Sequence, residues 1–208
     1  MAEQKDATTQ STLQEIFIKN GLHIGSRIKV VDMEKFIYAL RPDGIYLIDI
    51  NKTIERLNVA AKFISLFPPE KVIITTSHVY GVKPVEKFCE ITGTIPIVKK
   101  FQAGLLTNRN LSIFSEPKLL LVTDPRYDNQ AIEEASIAGI PVIAFCSTDN
   151  IAKNVDLIIP INNRGRNSLG YAFWYLAKKV LEERGILQSN IEPDFKPEDF
   201  ITPQETQK

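Results

Sequence analysis

Five short apolar runs, spaced so that a helix fits between most of them, limit what this chain can fold into: Lys71 to Thr76, Ile95 to Val98, Lys118 to Thr123, Pro141 to Cys146 and Asp156 to Pro160. Runs of Val, Ile and Leu without polar alternation, bounded by turn residues, read as strands covered on both faces. Residues of helical period lie among them. Asn51 to Phe67 sets Ile54, Leu57, Ala61 and Ile64 on one face before Pro68-Pro69 closes it. A second helix surrounds Pro84 to Ile91, a third runs from Asn129 to Ala138 before Gly139, and a fourth from Leu169 to Arg184 before Gly185. Strands alternating with helices in this way need crossover connections, which are right-handed. The expected fold is α/β, a doubly wound, mostly parallel sheet of flavodoxin-like type with helices on both faces.

Ahead of the alternation, Leu13, Ile16 and Phe17 have helical spacing, with Thr12 and Glu15 placed as a capping box. Phe36 to Leu40 and Ile45 to Asp49 flank Arg41-Pro-Asp-Gly44, the pattern of a hairpin. The stretch from Phe101 to Phe114 has no clear period. The expected organisation is a disordered segment at residues 1–10, one α/β domain at 11–187, and an acidic, proline-containing tail at 188–208. That tail, with Pro193, Pro197 and Pro203 among carboxylates, is expected to be extended and to add nothing to the core.

The formal net charge is +0, with 25 basic and 25 acidic residues, so the whole chain lacks the polycation signature of a free-standing nucleic-acid binder. The cations are clustered locally and the tail is acidic, so a basic face is compatible with a neutral sum. No apolar run reaches the ~20 residues of a membrane span, and the N-terminal residues lack the apolar centre of a signal peptide. The expected compartment is the cytoplasm. Two cysteines, Cys89 and Cys146, and two histidines, His23 and His78, lack the paired spacing of a structural zinc site. Both cysteines are expected in the core.

No Gly-x-x-x-x-Gly-Lys-Ser/Thr, Gly-x-Gly-x-x-Gly or Gly-x-Ser-x-Gly occurs, which disfavours phosphate-loop, dinucleotide and nucleophile-elbow chemistry. Asp49 and Asp124 end strands where such a sheet could hold a metal or phosphate. Each also fits a local role, Asp49 as a helix cap and Asp124-Pro125 as a turn. His23, between Gly21 and Gly25, has no catalytic partner in sequence and reads as a packed imidazole bonded to backbone. The loop Asn162-Asn-Arg-Gly-Arg-Asn-Ser168 leaves a strand for a helix and offers amides and guanidiniums, donors suited to phosphate or sugar oxygens. A plain solvated turn is the competing reading of that loop.

Gly21-Leu-His-Ile-Gly25, Ala103-Gly-Leu-Leu-Thr-Asn108, Val122-Thr-Asp-Pro125, Glu134-Ala-Ser-Ile-Ala-Gly-Ile-Pro-Val142, Asp149-Asn150, Val155-Asp156 and Ile159-Pro-Ile-Asn-Asn-Arg-Gly-Arg166 occur in an order that resembles the small-subunit ribosomal protein S2 family. The resemblance spans roughly Leu13 to Gly185. The last motif, with Trp174 after it, is similar to the archaeal and eukaryotic branch, which includes the laminin-receptor-like ribosomal protein SA relatives. Bacterial members carry a coiled-coil insertion after the Leu-Thr-Asn motif, whereas this chain passes from Asn108 to Pro117 in a few residues.

The resemblance implies a non-catalytic structural component of the small ribosomal subunit. It would bind small-subunit ribosomal RNA and neighbouring small-subunit proteins, with no cofactor, metal, membrane or small-molecule substrate. Read together with the clustered cations, the candidate RNA-contacting residues are Arg27, Lys29, Lys99, Lys100, Asn108, Arg109, Asn162, Asn163, Arg164 and Arg166. Few aromatic residues lie near these in sequence, so base stacking is not expected to dominate. The alternative is an α/β enzyme or binder of a nucleotide-sugar or phosphate, using Asp49, Asp124 and the Asn162 to Ser168 loop.

Overall fold

A computed structural model of the chain describes residues 13–188 and 193–203. The expectations for residues 1–10 and for a cap at Thr12 lie outside the described residues. A helix over residues 13–19 (α1) leads to α2 (Val31–Glu34), to the antiparallel hairpin of β1 (Ile37–Leu40) and β2 (Tyr46–Ile48), and to α3 (Ile50–Ser65). Then follow β3 (Val72–Thr76), α4 (Val79–Thr92), β4 (Ile95–Val98), β5 (Leu119–Val122), α5 (Asn129–Ala138), β6 (Val142–Cys146), β7 (Leu157–Pro160) and α6 (Arg166–Glu183).

The last five strands pair in parallel in the order β4-β3-β5-β6-β7. Counted within the sheet this is the flavodoxin-like order 2-1-3-4-5. Successive side chains along a strand point to opposite faces, and here both faces are apolar. Val72, Ile74, Leu119, Leu121, Ile143, Phe145 and Ile159 join the core beneath α3, α4 and α6, whereas Ile73, Leu120, Val122, Val142, Ala144 and Cys146 join the core beneath α5 and α2. Double-sided burial is why these runs show no polar alternation. Pro96 is tolerated because β4 lies at the sheet edge, where a missing N–H costs no ladder bond.

Two elements start earlier than their sequence pattern suggests. α4 begins at Val79 rather than near Pro84, and His78 caps it by accepting the N–H of Tyr80 on Nδ1 at 3.3 Å. Pro84 is inside that helix, where its missing N–H leaves the Tyr80 carbonyl without its usual partner. The Thr202 hydroxyl donates to that carbonyl at 3.3 Å. α6 begins at Arg166, because Asn162 Oδ1 accepts the N–H groups of Arg164 and Gly165 at 3.3 and 3.1 Å and turns the chain into the helix.

Residues 193–203 correct the expectation of a tail without core contacts. Phe200 is fully buried, and Phe195 meets it edge to face with ring centroids 5.8 Å apart. The Trp174 indole N–H donates to the Phe195 carbonyl at 3.4 Å and Lys83 Nζ donates to the Ile201 carbonyl at 2.9 Å. A Cβ on Gly170 would approach Ile201 Cγ1 to 2.9 Å and the Phe200 carbonyl to 3.3 Å, so a glycine in α6 admits the segment. Acidic composition concealed the buried aromatic side chain, whose burial alone is worth about 1.5–3 kcal/mol.

Candidate functional site

Parallel strands end together, so residues far apart in sequence meet along the C-terminal edge of the sheet. Lys99 and Lys100 leave β4, Arg126 leaves β5, and Arg164 and Arg166 leave β7. Arg27 and Lys29 join this edge through a loop docked on the end of β6. Ser26 N–H donates to Thr148 Oγ1 at 2.8 Å, and Val30 N–H donates to the Thr148 carbonyl at 2.9 Å. A Cβ on Gly25 would come within 2.5 Å of Thr148 Cγ2 and 2.7 Å of the Tyr46 carbonyl, so only glycine permits this docking.

The ten sequence-predicted residues divide into several environments. Arg27, Lys29, Lys99 and Lys100 are exposed and Arg166 is half-buried, all at the C-terminal edge. Lys29 pairs with Glu34 at 2.5 Å, an exposed, solvent-screened pair that a phosphate can displace. Lys99 has φ 76°, which costs a side-chain-bearing residue roughly 1–2 kcal/mol, and it turns the chain sharply as it leaves the sheet.

Arg109 does not reach that edge. Residues 101–117 cross the α5 side of the molecule, and Arg109 lies beside Lys71 and Lys118, which precede β3 and β5, with Glu116 at 3.3 Å. Exposed Asn108 turns the same segment by accepting the Asn110 N–H at 3.1 Å. Glu134 holds this crossing in place. Its carboxylate accepts the Gly104 and Leu106 N–H groups at 2.6 and 3.1 Å and the Thr107 hydroxyl at 3.3 Å. Burial pushes the Glu134 carboxyl up, but these bonds together hold it below the ordinary glutamate value.

The Asn162 to Arg164 stretch is a framework more than a free donor set. Asn163, expected to contact RNA, is instead fully buried, and its amide donates to the Phe145 carbonyl and to Asn150 Oδ1, both at 3.1 Å. Asn162 donates to the Gly21 carbonyl at 3.1 Å while capping the turn into α6. Arg164 donates to Asp149 Oδ2 at 2.7 Å and stands 3.9 Å from Asp124 Oδ2. Burial works against the Arg164 charge, but the Asp149 carboxylate outweighs it and raises the guanidinium pKa.

Asp124 is fully buried at the end of β5. Its Oδ1 accepts the Arg126 N–H at 2.9 Å and the Asn150 amide at 2.8 Å, the expected turn role. Burial raises its pKa against those hydrogen bonds. Asp49 caps α3 by accepting the Asn51 N–H at 2.9 Å. Asp128 receives the Ser77 hydroxyl at 2.5 Å, and burial pushes its carboxyl up to about 6. His23 departs from expectation, since its buried Nδ1 has no partner among the described residues. Cys89 and Cys146 are both in the core, as expected, and burial raises both thiols.

Sequence spacing gave no sign of an aromatic group at this edge. The His78 ring centroid lies 5.5 Å from that of Tyr80 and 6.0 Å from that of Tyr127. Both tyrosines are exposed. Because β3 and β5 are adjacent in the sheet, their C-terminal loops bring together rings that are distant in the chain. Burial lowers the His78 pKa below the ordinary imidazole value, with Asp124 acting against it and Arg164 with it, so the imidazole is mainly neutral near pH 7.

Among the described residues, no group of three His, Cys, Asp or Glu side chains could hold a metal ion, and no helix is long and apolar enough to cross a membrane. The family model for ribosomal protein S2 matches residues 17–115 and 110–183. The chain belongs to the ribosomal protein S2 family. The small ribosomal subunit protein uS2 of Thermofilum pendens is 47% identical over 186 residues, covering 89% of this chain and 87% of the relative. That of Ignicoccus hospitalis is 46% identical over 190 residues, covering 91% and 87%. For Pyrobaculum calidifontis the figures are 45% over 190 residues, covering 90% and 91%. This S2-family chain is of the archaeal type. The two matched segments meet at residues 110–115, inside the crossing that Glu134 holds at its other end.

Proposed function

We propose that the chain is a non-catalytic structural component of the small ribosomal subunit, working in the cytoplasm, where it binds small-subunit ribosomal RNA and neighbouring small-subunit proteins and supports assembly and translation. The observation that carries this reading is the likeness to uS2 proteins along about nine-tenths of both chains. The cationic edge supports it. Arg27, Lys29, Lys99, Lys100 and Arg166 come from separate loops and project from one rim, as contact with a phosphate backbone requires. Ribosomal RNA is bound largely through shape, phosphates and 2′-hydroxyls, and such donors need no active-site geometry. Arg109, beside Lys71 and Lys118 where β3 and β5 begin, and the neighbouring Asn108 belong to a second contact area.

The enzyme alternative draws on Asp124 and the Asn162 to Ser168 loop, but Asp124, Asn150, Asn163 and Arg164 bond to one another and occupy that end of the sheet themselves. Depleting the protein in its host tests the proposal. Free small subunits and polysomes should fall relative to large subunits, whereas an unchanged ribosome profile would refute it.

A further inference from the structure

Tyr127 is 56% exposed and borders a cleft of about 670 Å³ that Ser77, Lys100, Gln102 and Gln130 also line. The cleft lies at the C-terminal ends of β3, β4 and β5, where the strand order reverses and where open sheets of this kind take ligands. We propose that this cleft holds one unpaired nucleotide of an RNA strand, with its base stacked on Tyr127 and its phosphate on Lys100. The inference rests on the RNA-binding reading above and names the kind of RNA at this point of the rim.

Three observations support it. A base needs a flat face, and Tyr127 offers one that its own fold leaves largely uncovered, with the His78 ring beside it, tilted by 53° at a centroid distance of 6.0 Å. The uncharged imidazole lets that stack sit beside a lysine without adding repulsion. A phosphate needs a cation not already committed, and among the described residues Lys100 has no ion-pair partner, unlike Lys29 and Arg109. Phe101 is buried in the core next to it and so fixes where Lys100 leaves the surface. A base edge needs polar groups, and the Ser77 oxygen, whose proton goes to Asp128, can accept, while the Gln102 amide and the Gln130 oxygen and remaining N–H supply further donors and acceptors beside the ring.

The chemistry selects against other occupants. A paired base keeps its faces inside the stack, and the deep groove of an RNA duplex excludes side chains. An acidic peptide would satisfy Lys100 but leave the tyrosine face uncovered. A free mononucleotide shares the stacking chemistry, but lacks the neighbouring phosphate that exposed Lys99, next to Lys100 in the chain, can meet.

The test uses the full chain with a fluorescein-labelled single-stranded heptaribonucleotide, the same sequence as a duplex, and AMP as competitor. Tighter binding of the single strand is expected. Tyr127→Leu should weaken it roughly tenfold or more, as loss of a stacked base does. Tyr127→Phe should bind like wild type, and Lys100→Ala should lower the salt slope by about one. The exposed ring makes these variants safe for folding, which circular dichroism checks.

Equal binding by Tyr127→Leu, no preference over duplex, no measurable binding of either RNA, or AMP binding as tightly as the strand would each overturn the proposal. So would ultraviolet cross-linking of Tyr127 to protein rather than RNA in assembled subunits. Sedimentation separates the two levels. If wild type fails to travel with small subunits, the proposed function itself fails. If wild type travels with them but Tyr127→Leu binds single strands equally well, the cleft assignment alone fails.

Discussion

Pro84 leaves the carbonyl of Tyr80 without an amide partner, and the hydroxyl of Thr202 supplies the replacement from 3.3 Å away. The C-terminal segment therefore completes α4 as well as covering it. Truncation after Gln188 removes this bond together with buried Phe200 and the Phe195 contact. Loss of a core phenylalanine costs about 3–5 kcal/mol. For a chain of this size the melting temperature should fall by on the order of 10 °C. Differential scanning calorimetry decides the matter, and an unchanged transition would mean the segment contributes nothing.

Gly170 provides a test that depends on context. In the full chain a Gly170→Ala methyl group crowds Ile201 and the Phe200 carbonyl, so the variant should be less stable. In the chain truncated after Gln188 that clash is gone, and the better helix propensity of alanine, about 1 kcal/mol, should show as stabilisation. The reversal of sign, measured by urea unfolding, is the expected result.

The Glu134 carboxylate should give stability a pH dependence. Its folded pKa lies below the ordinary 4.5, because hydrogen bonds from Gly104, Gln130, Leu106 and Thr107 outweigh the effect of burial. The stabilisation is fully present above the unfolded value and is lost as pH falls through the lower folded one. Glu134→Gln should thus be less stable than wild type at pH 7 by roughly 2 kcal/mol, the scale of a charge-assisted bond. The gap should close only as pH falls through that lowered folded pKa, beyond which both side chains are neutral.

Arg164 and Arg166 should behave differently from each other. Arg164→Ala leaves Asp149 without its 2.7 Å partner and removes the cation beside buried Asp124. A fully buried pair broken this way costs about 3–5 kcal/mol, but the Arg164 side chain is 36% exposed, so roughly 2 kcal/mol is expected. Arg166→Ala should leave the melting temperature unchanged while lowering the salt slope of RNA binding by about one. Replacing both together would mix the two effects, so the single variants are the informative ones.

What could be read from sequence follows the range of the interactions involved. Apolar runs and helical periods are local, and they located the five parallel strands and the helix Asn129–Ala138 correctly. The start of α4 was missed because Pro84 reads as a helix boundary, and only Thr202, far along the chain, shows how a proline is accommodated inside. Phe195 and Phe200 act as single anchors with no period, so an acidic composition hid them. Burial of Asn163 has no local signature, because an asparagine in a turn looks the same whether it faces solvent or Asn150. The grouping of Tyr80, His78 and Tyr127 depends on β3 lying next to β5, which strand order alone reveals.

The central claim is most directly tested by adding labelled full-length protein to small ribosomal subunits depleted of their own S2-family protein and sedimenting the mixture through sucrose at rising salt. The account predicts about one copy per small subunit and none on large subunits. It also predicts that Arg27→Ala, Lys29→Ala and Arg166→Ala release the protein at lower salt than wild type. Protein that stays at the top of the gradient even at low salt, or that distributes equally between the two subunits, would contradict it.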